Sequence, residues 1–124
     1  MIGSLSYGQT VISTDFAGQV GTTRTLVNAT ADTINLQITK ARPTLTFKYD
    51  ITKNSGTVGG TIVLQGRATT ADSWTQVNSY TLTDATATNS VLLTNNAYVY
   101  YRIITTPTGT QNSTHSKYVV ARQY

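Results

Sequence analysis

Hydrophobic and polar residues alternate along much of this chain with a period of two. From Asp32 to Lys40, Ile34, Leu36 and Ile38 fall on one face, and Thr33, Asn35, Gln37 and Thr39 on the other. Side chains of an extended chain point to opposite faces in turn, so this stretch predicts a strand with one buried and one wet face. After Pro43, Thr44 to Asp50 repeats the pattern, with Leu45, Phe47 and Tyr49 set against Thr44, Thr46 and Lys48. Proline lacks a backbone donor and is tolerated just ahead of such a strand. Thr61 to Arg67 sends Ile62 and Leu64 inward and Thr61, Val63 and Gln65 outward, with Gly66 marking a bulge. Tyr98 to Ile104 is the strongest pattern: Val99, Tyr101 and Ile103 fit the core face, and Tyr98, Tyr100 and Arg102 lie opposite. Weaker segments run from Trp74 to Val77, Tyr80 to Leu82, Val91 to Thr94 and Lys117 to Arg122.

Turn chemistry separates these runs. The nine residues TKNSGTVGG from Thr52, the polar stretch Ala68 to Ser73, the connector Asp84 to Ser90, Asn95-Asn96, and the pair Pro107 and Gly109 all punctuate the chain. From Met1 to about Thr30 the apolar residues are scattered among glycines, which predicts either short edge strands or an arm that docks on a neighbouring subunit. The chain therefore divides into an N-terminal segment, 1–30, and a sandwich domain, 31–124. Seven to nine short strands and no helical period predict an all-β fold. Recurrent one-face alternation favours an antiparallel β-sandwich, immunoglobulin-like or jelly-roll-like, over a small barrel.

Composition agrees and narrows the chemistry. Threonine makes up about a fifth of the 124 residues, which suits pleated, half-buried surface. Charged residues are 11% of the chain, Glu is absent, and the net charge of +4 comes from Lys and Arg spread singly, with no basic run to track a phosphate backbone. Nucleic acid is therefore not an expected partner, and no segment has the length of a membrane span. The start MIGSLSYGQTVIS lacks the charged and apolar blocks of a signal peptide, which predicts a protein made and assembled in a cytoplasm.

No catalytic, cofactor-binding or metal-ligating set emerges. There is no Cys, and the single histidine, His115, lies in the polar run TQNSTHSKY and is expected in a solvated loop. No nucleophile elbow accompanies it. The five Asp are dispersed, and GTVGG lacks the Lys and the following helix of a phosphate loop. A hydrolase built on Asp72 and Asp84 is the enzymatic alternative. Tyrosine is the one aromatic in excess, at eight. Tyr98, Tyr100 and Arg102 on one strand face read as a loop-covered second core face, a protein contact or a sugar platform. With Tyr7 and Phe16 of the N-terminal segment they form the candidate interface.

The succession GGTIVLQGRATTADSWTQV, a Thr-rich connector, and NNAYVYYRIITTPTGTQNSTHSKYVV resembles small β-sandwich virion proteins of tailed bacteriophages, in particular phages of Bacteroidetes. The matching positions are Gly60 to Gly66, Trp74 to Val77, Tyr98 to Arg102 and Thr108 to Ser113, within residues 59 to 120. The resemblance implies a non-enzymatic structural protein of a phage virion. It implies a capsid decoration or auxiliary protein first, with a tail or connector protein, or a carbohydrate-binding adhesion module, as the alternative. It also implies multi-copy assembly with other virion proteins, no cofactor, and Trp74 and Tyr101 as core or sheet-packing residues.

Overall fold

The computed structural model describes residues 10–13, 18–37, 44–94 and 98–122. Nine strands run through them: β1 Thr10–Ser13, β2 Gly18–Val27, β3 Asp32–Gln37, β4 Thr44–Gly56, β5 Gly60–Arg67, β6 Thr75–Thr81, β7 Ala87–Thr94, β8 Tyr100–Pro107 and β9 Gln111–Arg122. They form two sheets, ordered β1-β3-β8-β5-β6 and β2-β9-β4-β7. Every pairing is antiparallel except β1 with β3, which is parallel. The protein is thus an all-β sandwich, and no helix occurs among the described residues. Both strands described within residues 1–30 are sheet members: β1 lies at one edge of the five-stranded sheet and β2 at one edge of the other.

The core follows the alternation. Leu45, Phe47, Tyr49 and Ile51 of β4 face Ile34 and Leu36 of β3, Ile62 and Leu64 of β5, and Tyr101 and Ile103 of β8. Phe47 and Tyr101 meet across the sheets with ring centroids 5.2 Å apart. Each such fully buried large apolar side chain contributes roughly 1.5–3 kcal/mol of transfer free energy.

Among the described residues consecutive strands mostly change sheet, and only β5 and β6 pair directly as neighbours in sequence. Two of these crossings, residues 57–59 and 108–110, lie side by side, joined by Thr57 N to Thr110 O (2.9 Å) and Thr108 N to Gly59 O (3.0 Å). The approach is too close for side chains. A Cβ on Gly56 would come within 2.4 Å of Thr110 O, and one on Gly60 within 2.1 Å of Thr106 O, and both glycines have positive φ.

Several boundaries differ from expectation for one reason: polar residues can continue a strand when a neighbour supplies the ladder. The run from Thr52 to Gly56 is strand, not loop, and Asn54 Nδ2 donates across to Asn112 Oδ1 (2.8 Å) and Thr114 Oγ1 (3.0 Å) on β9. Asn78 and Ser79 do not interrupt β6, and β7 begins at Ala87, inside the expected connector. The irregularity near Gly66 sits on β6, where Leu64 pairs with Asn78 and Gln65 with Gln76, leaving Val77 as the extra residue. Gly66 has another task. A Cβ there would stand 2.7 Å from the Tyr98 ring.

The largest correction concerns β9. The segment expected as a polar loop around His115 is a central strand from Gln111 onward, and Gln111, Ser113, His115, Lys117 and Val119 all point inward and are buried. Polarity on both faces erased the alternation. The inward polar groups form one directed chain: Gln111 Nε2 donates to Asn28 O (2.7 Å), its Oε1 accepts from Ser113 Oγ (2.6 Å), and Ser113 Oγ pairs with His115 Nε2 (2.9 Å). Because the Ser113 hydroxyl proton goes to Gln111, His115 donates through Nε2, and its buried Nδ1 is left without a partner. Burial and the nearby Lys117 push the imidazole pKa down to about 3.

Beside it, two polar ties cross between the sheets. Arg24 of β2 pairs with buried Asp32 of β3, and Lys117 Nζ of β9 donates to Thr105 Oγ1 of β8 at 2.5 Å. Asp32 and Thr105 are register partners, so the ties share one corner of the interior. Burial lowers the Lys117 pKa to about 8, a shift opposed by Asp32 and helped by Arg24.

Candidate functional site

The outward residues of β3, β8 and β5 form a grid. Gln37 lies beside Tyr100 and Tyr100 beside Arg67; in the next row Asn35 lies beside Arg102 and Arg102 beside Gln65. Residues 68–74 then turn back over this grid. The turn is folded around one cation: Arg67 Nη1 donates to Thr70 O (3.2 Å) and Asp72 O (3.4 Å), while Asp72 Oδ2 accepts from Thr69 N (3.0 Å). The chain leaves the turn at Trp74, half-buried against the sheet's outer face.

Trp74 sits among cations. The Arg67 guanidinium carbon lies 4.2 Å from its ring centroid and that of Arg102 4.5 Å, both within cation–π range. Arg67 also lies 5.8 Å from the Tyr100 ring. Arg102 Nε donates to Gln65 Oε1 at 2.5 Å, which fixes the guanidinium over the indole. Partial burial, with the nearby Arg67 charge, lowers the Arg102 pKa. Next to this stack is a depression of about 230 Å³ lined by Asn35, Gln37, Arg67, Thr70, Trp74 and Tyr100.

Of the expected interface residues, Tyr100 and Arg102 stand on this face. Tyr98 does not. Strand β8 begins at Tyr100, and a bend at Val99 resets the alternation. Tyr98 therefore turns inward, edge-on to Tyr101 with centroids 6.0 Å apart, over the space left by Gly66, while Val99, expected in the core, is 38% exposed. Tyr7 and Phe16 lie outside the described residues. Tyr101 is buried in the core. Trp74 is not a core residue: its ring is held on the outer face by the two arginines. Arg67 was legible in principle, since continuing the outward series Thr61, Val63, Gln65 by one step reaches it.

The described aspartates are engaged in the architecture. Asp84 accepts from Val58 N and pairs with Lys53, whose hydrogen bond lowers its pKa. Asp50 accepts from Tyr118 Oη (2.6 Å) and Thr88 Oγ1 (2.8 Å), and these hydrogen bonds lower its pKa. Among the described residues no group of three or more His, Cys, Asp or Glu could hold a metal.

The architecture is that of a two-sheet β-sandwich shared by proteins with little sequence in common. No family model and no curated protein matches the chain. Among solved structures it is similar to the Yersinia pseudotuberculosis-derived mitogen, with a TM-score of 0.59, 8% identity, and 88% of this chain and 90% of that one covered. It is similar to Aeromonas hydrophila PliG, a periplasmic inhibitor of g-type lysozyme, with a TM-score of 0.51, 15% identity and 91% and 96% covered. A Family 16 carbohydrate-binding module has a TM-score of 0.52, 9% identity and 80% and 74% covered. At such identities the likeness is one of fold.

Proposed function

We propose that this chain is a non-enzymatic binding and structural module of a phage virion. It acts in many copies as a capsid decoration or auxiliary protein and meets a neighbouring virion protein through the outer face of the five-stranded sheet. One observation carries the contact: Trp74, Tyr100, Arg67 and Arg102, residue types that dominate interface centres, stand together half-buried on that face. Their ordering is already accomplished in the free protein, so less entropy is lost on association. The particle assignment rests on the resemblance of residues 59 to 120 to tailed-phage virion proteins. In a symmetric shell, a modest patch on each copy is multiplied by copy number.

The experiment counts copies. Mass spectrometry of purified particles from the producing phage should find the wild-type chain, and Trp74→Ala with Tyr100→Ala should lower its occupancy while the sandwich stays folded. Absence of the wild-type chain from particles rejects the virion assignment, and full occupancy by the double variant rejects this contact face.

A second reading has its own observation. The depression beside Trp74 and Tyr100 is lined by the amides of Asn35 and Gln37, an arrangement that suits a sugar's ring and hydroxyls. The same fold occurs in a carbohydrate-binding module. A glycan array against the isolated chain, with a hit lost in Tyr100→Ala, would favour this reading over the first.

A further inference from the structure

We infer that the partner segment seated on this face is an acidic stretch of polypeptide whose carboxylates engage Arg67 and Arg102 together; this rests on the protein-contact reading above. The two guanidinium carbons are both within 4.5 Å of one ring centroid, so two like charges are held within a Debye length, about 8–10 Å, of each other. Among the described residues no carboxylate forms an ion pair with either of them. The ion pairs among the described residues are Arg24 with Asp32, Lys48 with Asp50 and Lys53 with Asp84. Asp72, five residues from Arg67, offers it only a backbone carbonyl and commits a carboxylate oxygen to Thr69 N. Arg102 donates through Nε alone, to Gln65, which leaves its Nη groups without an acceptor among the described residues.

This arrangement is prepared for an acceptor that arrives from outside. The Nη1/Nη2 edge of Arg102 stays available for the two parallel hydrogen bonds of a carboxylate, whereas Arg67, with Nη1 given to Thr70 O and Asp72 O and Nε buried, offers Nη2 to a second carboxylate oxygen. A bound carboxylate also relieves the repulsion between the two arginines. Polypeptide is favoured over an acidic sugar because guanidiniums already lie over the Trp74 ring, the surface on which a sugar would stack. The side-chain amide of Gln37 borders the same depression, where it can meet the backbone groups of an extended segment.

The test uses a fluorescein-labelled hexaglutamate peptide, read by anisotropy with the full chain at low and moderate salt. Saturable, salt-sensitive binding is expected, weakened by about tenfold in Arg67→Gln and in Arg102→Gln. Arg102→Lys should recover part of the loss, because it restores the charge without the planar fork. Lys48→Gln, which removes a cation from the outer face of the other sheet, should bind like wild type. Circular dichroism melts identify any variant that fails to fold, in which case Arg67→Lys and Arg102→Lys decide, each expected to bind more weakly than wild type, and wild-type binding by both overturns the inference. No binding to the wild type, or equal loss in Lys48→Gln, overturns the inference, the second because it reports net charge alone. Tighter binding of oligogalacturonate than of hexaglutamate also overturns it, in favour of an acidic glycan. Particle occupancy separates this failure from failure of the contact face. If the Arg→Gln variants load normally while the Trp74→Ala, Tyr100→Ala variant does not, the face stands and its acidic partner falls; if that double variant loads normally, the face falls whatever the peptide does.

Discussion

His115 should make the sandwich acid-sensitive well above the range in which carboxylates titrate. The imidazole is 1% exposed, donates through Nε2 to Ser113, and has a buried Nδ1 with no acceptor beside it. Protonation would place a charged N–H with no partner next to Lys117. The folded-state pKa is accordingly about 3 against a reference of 6.5. The unfolded chain therefore takes up a proton below pH 6.5 that the native state refuses until about pH 3, and stability must fall as pH drops through that window. The slope reaches about 1.4 kcal/mol per pH unit and is half of that at pH 6.5, where the unfolded imidazole is half protonated, so going from pH 6.5 to 4.5 should cost about 2.3 kcal/mol. At roughly 3–5 °C per kcal/mol for a domain of this size, the melting temperature should drop by about 10 °C. His115→Gln, which keeps an amide donor toward Ser113 and does not titrate, should lower stability at neutral pH yet flatten the dependence between pH 6.5 and 4.5. Urea unfolding followed by far-UV circular dichroism at half-unit pH steps measures both slopes. A wild-type profile flat across that window, or a variant with the same slope as wild type, would refute the burial and bonding assigned to this residue.

Three further outcomes are expected. Asp32→Asn removes the one carboxylate of the interior corner that also holds Arg24 and Lys117, and should cost about 3–5 kcal/mol in denaturant unfolding at pH 7. Lys117→Met should be neutral or stabilising at pH 7. It should also abolish the wild-type rise in stability from pH 8 toward 9.5, where the unfolded lysine still holds the proton that the native one, with a pKa near 8, has released. Gly66→Ala places a methyl 2.7 Å from the Tyr98 ring and should cost about 1–3 kcal/mol, with loss of near-UV signal from the Tyr98–Tyr101 edge contact.

The sequence by itself determined the class of fold and most of the core. Period-two alternation in β3, β4 and β5 assigned Ile34, Leu36, Leu45, Phe47, Tyr49, Ile62 and Leu64 to the interior, because a strand with one wet face leaves no other solution. It also placed Tyr100 and Arg102 on an outer face. Only the tertiary structure decided what alternation does not encode. A polar side chain faces inward when a partner waits for it, as those of Ser113, His115 and Lys117 do, and a strand polar on both faces looks like a loop in sequence. The strand-to-strand phase is likewise reset by a single bend, which turned Tyr98 inward against the core and Val99 out. The candidate site itself came from such a decision. Trp74, for which the motif match implied a core or sheet-packing role, is carried by the turn around Arg67 onto the outer face of the sheet and not into the core, and register brings Arg102 and Tyr100 to it from β8. Contacts between residues distant in sequence depend on sheet order and register, and those are fixed only when the two sheets close on one another.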